Sequence, residues 1–257
     1  MDFRGKGLAL DDSGLNDAVQ TLGIGPAEFW AVMSVESRGC GFSVDRRPKI
    51  LYERHWFHKL TNGAHSVAYP DVSNSERGGY TRDKEYERLE KAISLDRKAA
   101  LESTSWGVGQ VMGFNFAFGG FNDAESMVTA MMESENAQIT AMAGFIKDNK
   151  LDSRLKNHDW EGFAKGYNGT GYKESKYDTK LADAFSKFSA GPLPDLPLRT
   201  AQLYLTYLGY DPGPVDGLWG KRTKDALVKY RTDANLPAGD QLDAGLAAHI
   251  SSKALSA

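Results

Sequence analysis

Cysteine is nearly absent from this chain: Cys40 stands alone among 257 residues, which excludes an internal disulfide and any zinc site built on thiolates. The five histidines (His55, His58, His65, His158 and His249) form no H-E-x-x-H arrangement, so no metal and no cofactor is expected. Long apolar runs are missing too. None approaches the ~18 residues of a membrane span, and membrane insertion is not expected. The first residues, MDFRGKGLALDDSGLND, carry one short apolar patch followed by acids, unlike a secretory signal. Charge of one sign is also lacking. The net charge is −3, and from Leu196 onward seven Lys/Arg face six Asp/Glu; no concentrated basic face exists to hold nucleic acid. There is no internal repeat and no low-complexity tract.

What remains is an ordinary globular composition, 41% hydrophobic and 25% charged, enough for one large domain or a large and a small one. The stretch SAGPLPDLP, with Pro192, Pro194 and Pro197, prevents a continuing helix and favours an extended connector. We therefore divide the chain into a domain over 1–190, a Pro-rich linker over 191–197 and a small domain over 198–257.

The first domain reads as mainly helical. Helical spacing predicts elements near 13–21, 26–36, 83–102, 159–167 and 178–189. It also predicts one long helix capped by Asp123, with Met127, Met131, Ile139, Met142, Phe145 and Ile146 as core filling. The stretch FSVDRRPKILYERHWF has alternating, β-branched character and predicts a small β-hairpin or irregular lobe. The fold class is therefore mainly α (α+β), with a small β lobe.

Within this frame, PAEFWAVMSVES predicts an amphipathic helix that starts at Pro26, buries Phe29, Trp30, Met33 and Val32, and ends by delivering Glu36. A carboxyl at the end of an apolar helix is desolvated, which favours its protonated form, and a proton-bearing acid suits glycosidic cleavage. The bland alternative is a solvated helix-end charge. Further along, SWGVGQVMGFN sets Gln110 behind Gly107 and Gly109, which let the backbone approach a ligand closely. FAKGYNGTGYKES sets Tyr167 and Asn168 at a helix end before a Gly-rich turn with Tyr172, an aromatic-plus-amide chemistry suited to a sugar ring. Each has a structural alternative: Gln110 bonding backbone at a turn, Tyr167 as core.

The order E-S, G-x-G-Q-x-M, Y-N resembles the lysozyme-like superfamily, especially the Slt-type and goose-type peptidoglycan cleavers. With FSVDRRPKILYERHWF added, residues about 10–190 resemble the phage-associated N-acetylmuramidases. The resemblance implies a lysozyme-like catalytic domain that cleaves the β-1,4 bond between N-acetylmuramic acid and N-acetylglucosamine. Carried over, Glu36 is the proton donor, and Gln110, Tyr167 and Asn168 line the cleft. A lytic transglycosylase, giving a 1,6-anhydro product, needs no second carboxylate. A hydrolase needs one, about 5–5.5 Å from the acid for retention or about 6.5–9.5 Å for inversion. Glu53 is the candidate, with Tyr52 and Arg54 on the opposite face of a strand and His55 able to orient it; the alternative is a salt bridge. Asp45 is second, or else a surface partner of Arg46 or Arg47. Cys40 has no evident His–Asn or His–Asp partners and reads as a small buried residue.

In the second domain, L-x-x-LGY-x-x-G-x-VDG-x-W-G-x-x-T-x-x-AL-x-x-Y resembles the peptidoglycan-binding type 1 domain, which implies a three-helix module. Thr223 is expected to cap its second helix, which buries Ala226, Leu227 and Tyr230. Arg231 stands where that family usually has Gln, and Gly239-Asp240 reverses its D-G turn, so the detailed ligand contacts are open. Tyr210, Asp216 and Trp219 are the candidate wall contacts; loop packing, and for Asp216 an Asx turn, is the alternative. Taken together the resemblances imply a monomeric endolysin acting on peptidoglycan in the periplasm. It is made in the host cytoplasm and released by a holin, and the tail holds the enzyme near the wall. A secretion-system effector, a chitinase-type enzyme and a non-catalytic wall-binding or virion protein are the alternatives.

Overall fold

The computed structural model describes residues 2–36, 39–80 and 84–256, without the side chains of Glu36 and Thr170. The larger domain begins with α1 (Asp12–Leu22) and α2 (Pro26–Glu36), followed by β1 (Ile50–Tyr52) and α3 (Arg54–Leu60). Then come α4 (Glu85–Leu95), α5 (Arg97–Glu102), β2 (Thr104–Trp106), β3 (Val111–Met112) and a 3-10 segment, Gly113–Gly119. It closes with α6 (Ala124–Glu133), α7 (Glu135–Asp148), α8 (Asp152–Lys156), α9 (Trp160–Asn168), α10 (Tyr172–Ser175) and α11 (Tyr177–Ala190). Three further helices, α12 (Leu196–Tyr207), α13 (Lys221–Asp233) and α14 (Ala244–Ser256), form the C-terminal module.

The expected amphipathic helix is in fact central. Phe29, Trp30, Ala31, Val32 and Met33 are all buried, and five consecutive buried positions cover every side of a helix. It packs against α11 and α1. Burying the large side chains contributes about 1.5–3 kcal/mol each, so α2 is firmly seated and its last turn emerges where Ser34 is exposed.

Two expected helices are each divided. The stretch 83–102 breaks at Asp96, which turns extended and caps α5 through the Ala99 amide. The single long helix after Asp123 is two: Asp123 and Ser126 form a reciprocal capping box for α6, and Ser134 turns extended and caps α7. The break costs one turn of hydrogen bonds and gains one N-terminal cap, Ser134 accepting from the Ala137 amide. The methionines do fill the core, with Met127, Met131 and Met142 buried. A small antiparallel turn does form locally: Phe42 bridges Pro48, and the Lys49 and Ser43 amides donate to the Gly41 and Arg47 carbonyls at 2.7 and 2.9 Å. β1 pairs antiparallel with β2, Ile50 opposite Trp106 and Tyr52 opposite Thr104, and β2 pairs with β3. The rest of the alternating pattern is that of a strand whose partner lies far along the chain, and the residues after Tyr52 turn into α3. At the β2–β3 turn, Gly107 has φ +69, and a Cβ there would lie 2.6 Å from Gln138 Cδ. The same Gln138 accepts from the Val108 amide at 2.8 Å.

The connector between the domains is shorter than expected. Leu196 and Pro197 form the first turn of α12, capped by Asp195, because Pro at the start of a helix removes only an N–H that has no partner there. In the module, Thr223 lies inside α13 rather than at its cap, which is Gly220. It is buried, bonding the Pro212 carbonyl at 2.8 Å and Gln202 at 3.1 Å. Ala226, Leu227 and Tyr230 are buried as expected.

Candidate active site

Glu36 ends α2, and its side chain lies outside the described residues. Glu53 sits at the turn from β1 into α3, its amide bonded to the Ser103 carbonyl at 3.0 Å. Its carboxylate is partly accessible. Oε2 accepts a hydrogen bond from the Tyr80 hydroxyl at 2.8 Å and lies 3.2 Å from His55 Nδ1. The His55 nitrogens are buried yet make no hydrogen bond among the described residues, because the ring is turned off the line to Glu53. Burial, opposed by Glu53 and aided by Arg77 and Arg54, pushes the His55 pKa down, so the imidazole beside Glu53 is neutral at pH 7. Burial and the bond to Glu53 push the Tyr80 hydroxyl up to about 12; it remains a donor at any working pH.

Tyr80 escaped the sequence reading. It arrives because Arg54 Nε and Nη2 donate to the Glu76 and Arg77 carbonyls at 3.0 and 3.3 Å, which folds the 74–80 loop over the start of α3. Gly78 and Gly79 take positive φ of 108° and 74°, the only visible signal in the sequence. A second feature missed is the half-buried pair Trp56 and Phe114, with ring centroids 4.8 Å apart. Trp56 also lies 5.5 Å from the His55 ring.

The other candidates separate by what they already bond. Gln110, at φ 47°, accepts from Ser105 Oγ at 3.0 Å and donates to the Lys49 and Gly107 carbonyls at 3.2 and 2.8 Å. Those bonds tie the β2–β3 turn to the strand that leads to Glu53. Tyr167 donates to the Gly109 carbonyl at 2.7 Å and stacks on Phe163, so it joins α9 to the same turn. Asn168, beside it, is exposed. Tyr172 is a correction: its ring is buried and its hydroxyl donates to Glu161 at 2.6 Å, so its face cannot meet a sugar.

Asp45 lies in a separate cleft of about 320 Å³ with Arg47, Glu85 and Tyr86. Burial works against its charge, but Ser43, the Arg47 amide and the Arg47 guanidinium 2.6 Å away hold its carboxyl below the usual range. In the C-terminal module, Asp216 closes an Asx turn onto the Leu218 amide at 3.0 Å. Tyr210 donates to Asp233 at 3.0 Å and packs edge-on against Tyr230. Trp219 is 47% exposed. No group of three or more His, Cys, Asp or Glu among the described residues could hold a metal ion.

Two families match the chain: N-acetylmuramidase over residues 25–189 and a peptidoglycan binding domain over 196–240. A comparison with curated proteins finds no match. Among solved structures, the crystal structure of the Burkholderia AP3 phage endolysin is 41% identical, with a TM-score of 0.66. The match covers 70% of this chain and 71% of that one. The carboxylate at the β1–α3 turn and the helix that ends at Glu36 therefore belong to a muramidase-type glycoside hydrolase: the chain is a member of the N-acetylmuramidase family, with a C-terminal peptidoglycan-binding domain.

Proposed function

We propose that the chain is an endolysin that hydrolyses the β-1,4 bond between N-acetylmuramic acid and N-acetylglucosamine, with Glu36 as general acid and Glu53 as second carboxylate. Glu36 protonates the leaving glycosidic oxygen as the bond to the anomeric carbon breaks. Glu53 takes a proton from the water that adds to that carbon, as an inverting hydrolase requires. Tyr80 fixes the carboxylate by its bond to Oε2, and the neutral His55 ring lies 3.2 Å from the same oxygen. Gln110 and Tyr167 support the cleft through the β2–β3 turn, with Asn168 at its edge, and Trp56 and Phe114 offer an apolar face to a sugar ring. The observation that carries the reading is a partly accessible carboxylate next to an imidazole whose nitrogens form no hydrogen bond among the described residues, in a chain of this family.

Trp219 on the wall-binding domain is the exposed aromatic through which we read wall contact; Tyr210 and Asp216 shape the loop around it. No helix among the described residues is long and apolar enough to cross a membrane. The reading also includes holin-assisted release of a monomer from the host cytoplasm, by similarity to the phage endolysin. Turbidity of permeabilised Gram-negative cells tests it: the unaltered chain clears the suspension and Glu36→Gln does not. A folded Glu36→Gln variant that clears at the normal rate would contradict the assignment.

A further inference from the structure

The C-terminal module is not merely tethered. Arg199 on α12 and Glu135 at the start of α7 are both 0% exposed and meet as a fork, Nη1–Oε2 at 2.6 Å and Nη2–Oε1 at 2.9 Å. Each also reaches the chain that leaves α2. Arg199 Nε donates to the Gly39 carbonyl at 3.1 Å and Nη2 donates to it as well. Glu135 accepts from the Gly41 amide at 2.8 Å and the Leu10 amide at 2.9 Å. Burial alone would raise the Glu135 pKa, but Arg199 and the two amides reverse this and hold the carboxyl below the usual range.

Packing adds a second, independent tie. Cys40 and Phe42 belong to the same buried cluster as Leu203, Leu205, Val215 and Leu227 of the module. At Gly39, with φ +106, a Cβ would lie 2.3 Å from the Val215 carbonyl oxygen, so the two backbones touch. The segment from Gly39 to Phe42 is thus held as part of the C-terminal module. Three peptide units separate Gly39 from Glu36, a reach of about 10–11 Å at most, so fixing Gly39 restricts where the end of α2 can lie.

We propose that the C-terminal module is part of the active-site framework, with Arg199 a positioning residue that anchors Gly39, three residues after Glu36. The inference deepens the proposed function and rests on Glu36 as the acid. A tether that only raises local concentration affects insoluble wall alone; a positioning role lowers turnover on soluble substrate too.

Steady-state kinetics on soluble, uncross-linked peptidoglycan strands separate the two. Arg199→Lys keeps a cation for Glu135 but lacks the fork that also reaches Gly39. The expected result is a kcat lower by about tenfold or more, with KM within about twofold, because small misplacement of a catalytic group is costly. The pair Arg199→Met with Glu135→Gln removes both buried charges and leaves an amide acceptor, a change buried ion pairs tolerate; the same kcat loss is expected. Tyr207→Phe, which deletes the bond to the Gly7 carbonyl at the same interface, leaves kcat unchanged. Normal kcat in a folded Arg199 variant would overturn the inference, as would an equal loss in Tyr207→Phe. Activity retained in Glu36→Gln would remove the proton-donor reading beneath it.

Discussion

Two carboxylates define opposite ends of this molecule's chemistry. Glu135 is fully buried, and its oxygens are occupied by Arg199 and the amides of Leu10 and Gly41. Glu53 is partly accessible, bonded to Tyr80 and close to a His55 ring whose nitrogens form no hydrogen bond among the described residues. An acid whose lone pairs are all committed can only hold structure, because taking up a proton or a water would break bonds that burial makes costly to lose. An acid with capacity left over can do both. The difference teaches that burial and charge alone do not mark a catalytic residue; unfilled bonding capacity does.

The comparison breaks most directly by substitution at both acids. Glu53→Gln is expected to lower the rate of wall hydrolysis by about 10²–10⁴-fold, the usual contribution of a general base, with little change in thermal melting. Glu135→Ala is expected to do the reverse in kind, destabilising the chain by about 3–5 kcal/mol through the uncompensated Arg199, read by denaturant unfolding. If Glu135→Ala melts normally, or Glu53→Gln unfolds the chain, the division of roles is wrong.

Acidity sharpens the same contrast. Both His55 and Glu135 have folded pKa values below their ordinary 6.5 and 4.5, so the unfolded chain binds protons more readily and stability falls as pH drops. The His55 contribution is complete above pH 6.5 and is lost below it. That of Glu135 holds down to about pH 4.5 and is lost only as pH falls through its lowered folded value. Melting temperatures measured across pH 8 to 3 are expected to show a shallow first decline and a steeper second one. A rise in stability on acidification would contradict both assignments.

Smaller effects refine the Glu53 side. Tyr80→Phe removes one hydrogen bond to a carboxylate, worth about 1.5–3 kcal/mol, and is expected to slow turnover by roughly 10–100-fold without altering wall binding. At the far end, Trp219→Ala is expected to weaken sedimentation with purified sacculi by a few-fold, from an aromatic contact of about 0.5–1.5 kcal/mol. Stability would change by about 1 kcal/mol or less, since about half of the residue is in solvent. Unchanged sedimentation would move wall contact away from Trp219.

Much of the helical frame was legible because it depends on local spacing. The elements at 12–22, 26–36, 160–168 and 177–190 lie where periodicity put them. The errors fall where the deciding partner is distant. Local alternation marked the small turn at 41–49, but β1 pairs with β2 across half a hundred residues, which no local pattern shows. Glu53 was legible as a carboxylate but not its setting, since Tyr80 reaches it only through the loop that Arg54 holds. Tyr172 looked like a sugar platform because a Gly-rich turn hides which way a ring points. Arg199 and Glu135 gave no signal at all: sixty-four residues apart, each alone is an ordinary charge on a helix. The proline run suggested an extended connector between separate domains, whereas the packing of Cys40 and Phe42 against α12–α14 joins them.

The central claim is that water completes the cleavage, with Glu36 as acid and Glu53 as second carboxylate. Mass spectrometry of muropeptides released by the unaltered chain tests it most directly. The account predicts fragments that end in a reducing N-acetylmuramic acid, each carrying the added water. Fragments lighter by one water, with a 1,6-anhydro ring, would mean that the substrate's own hydroxyl completes the reaction and that Glu53 has no place in it.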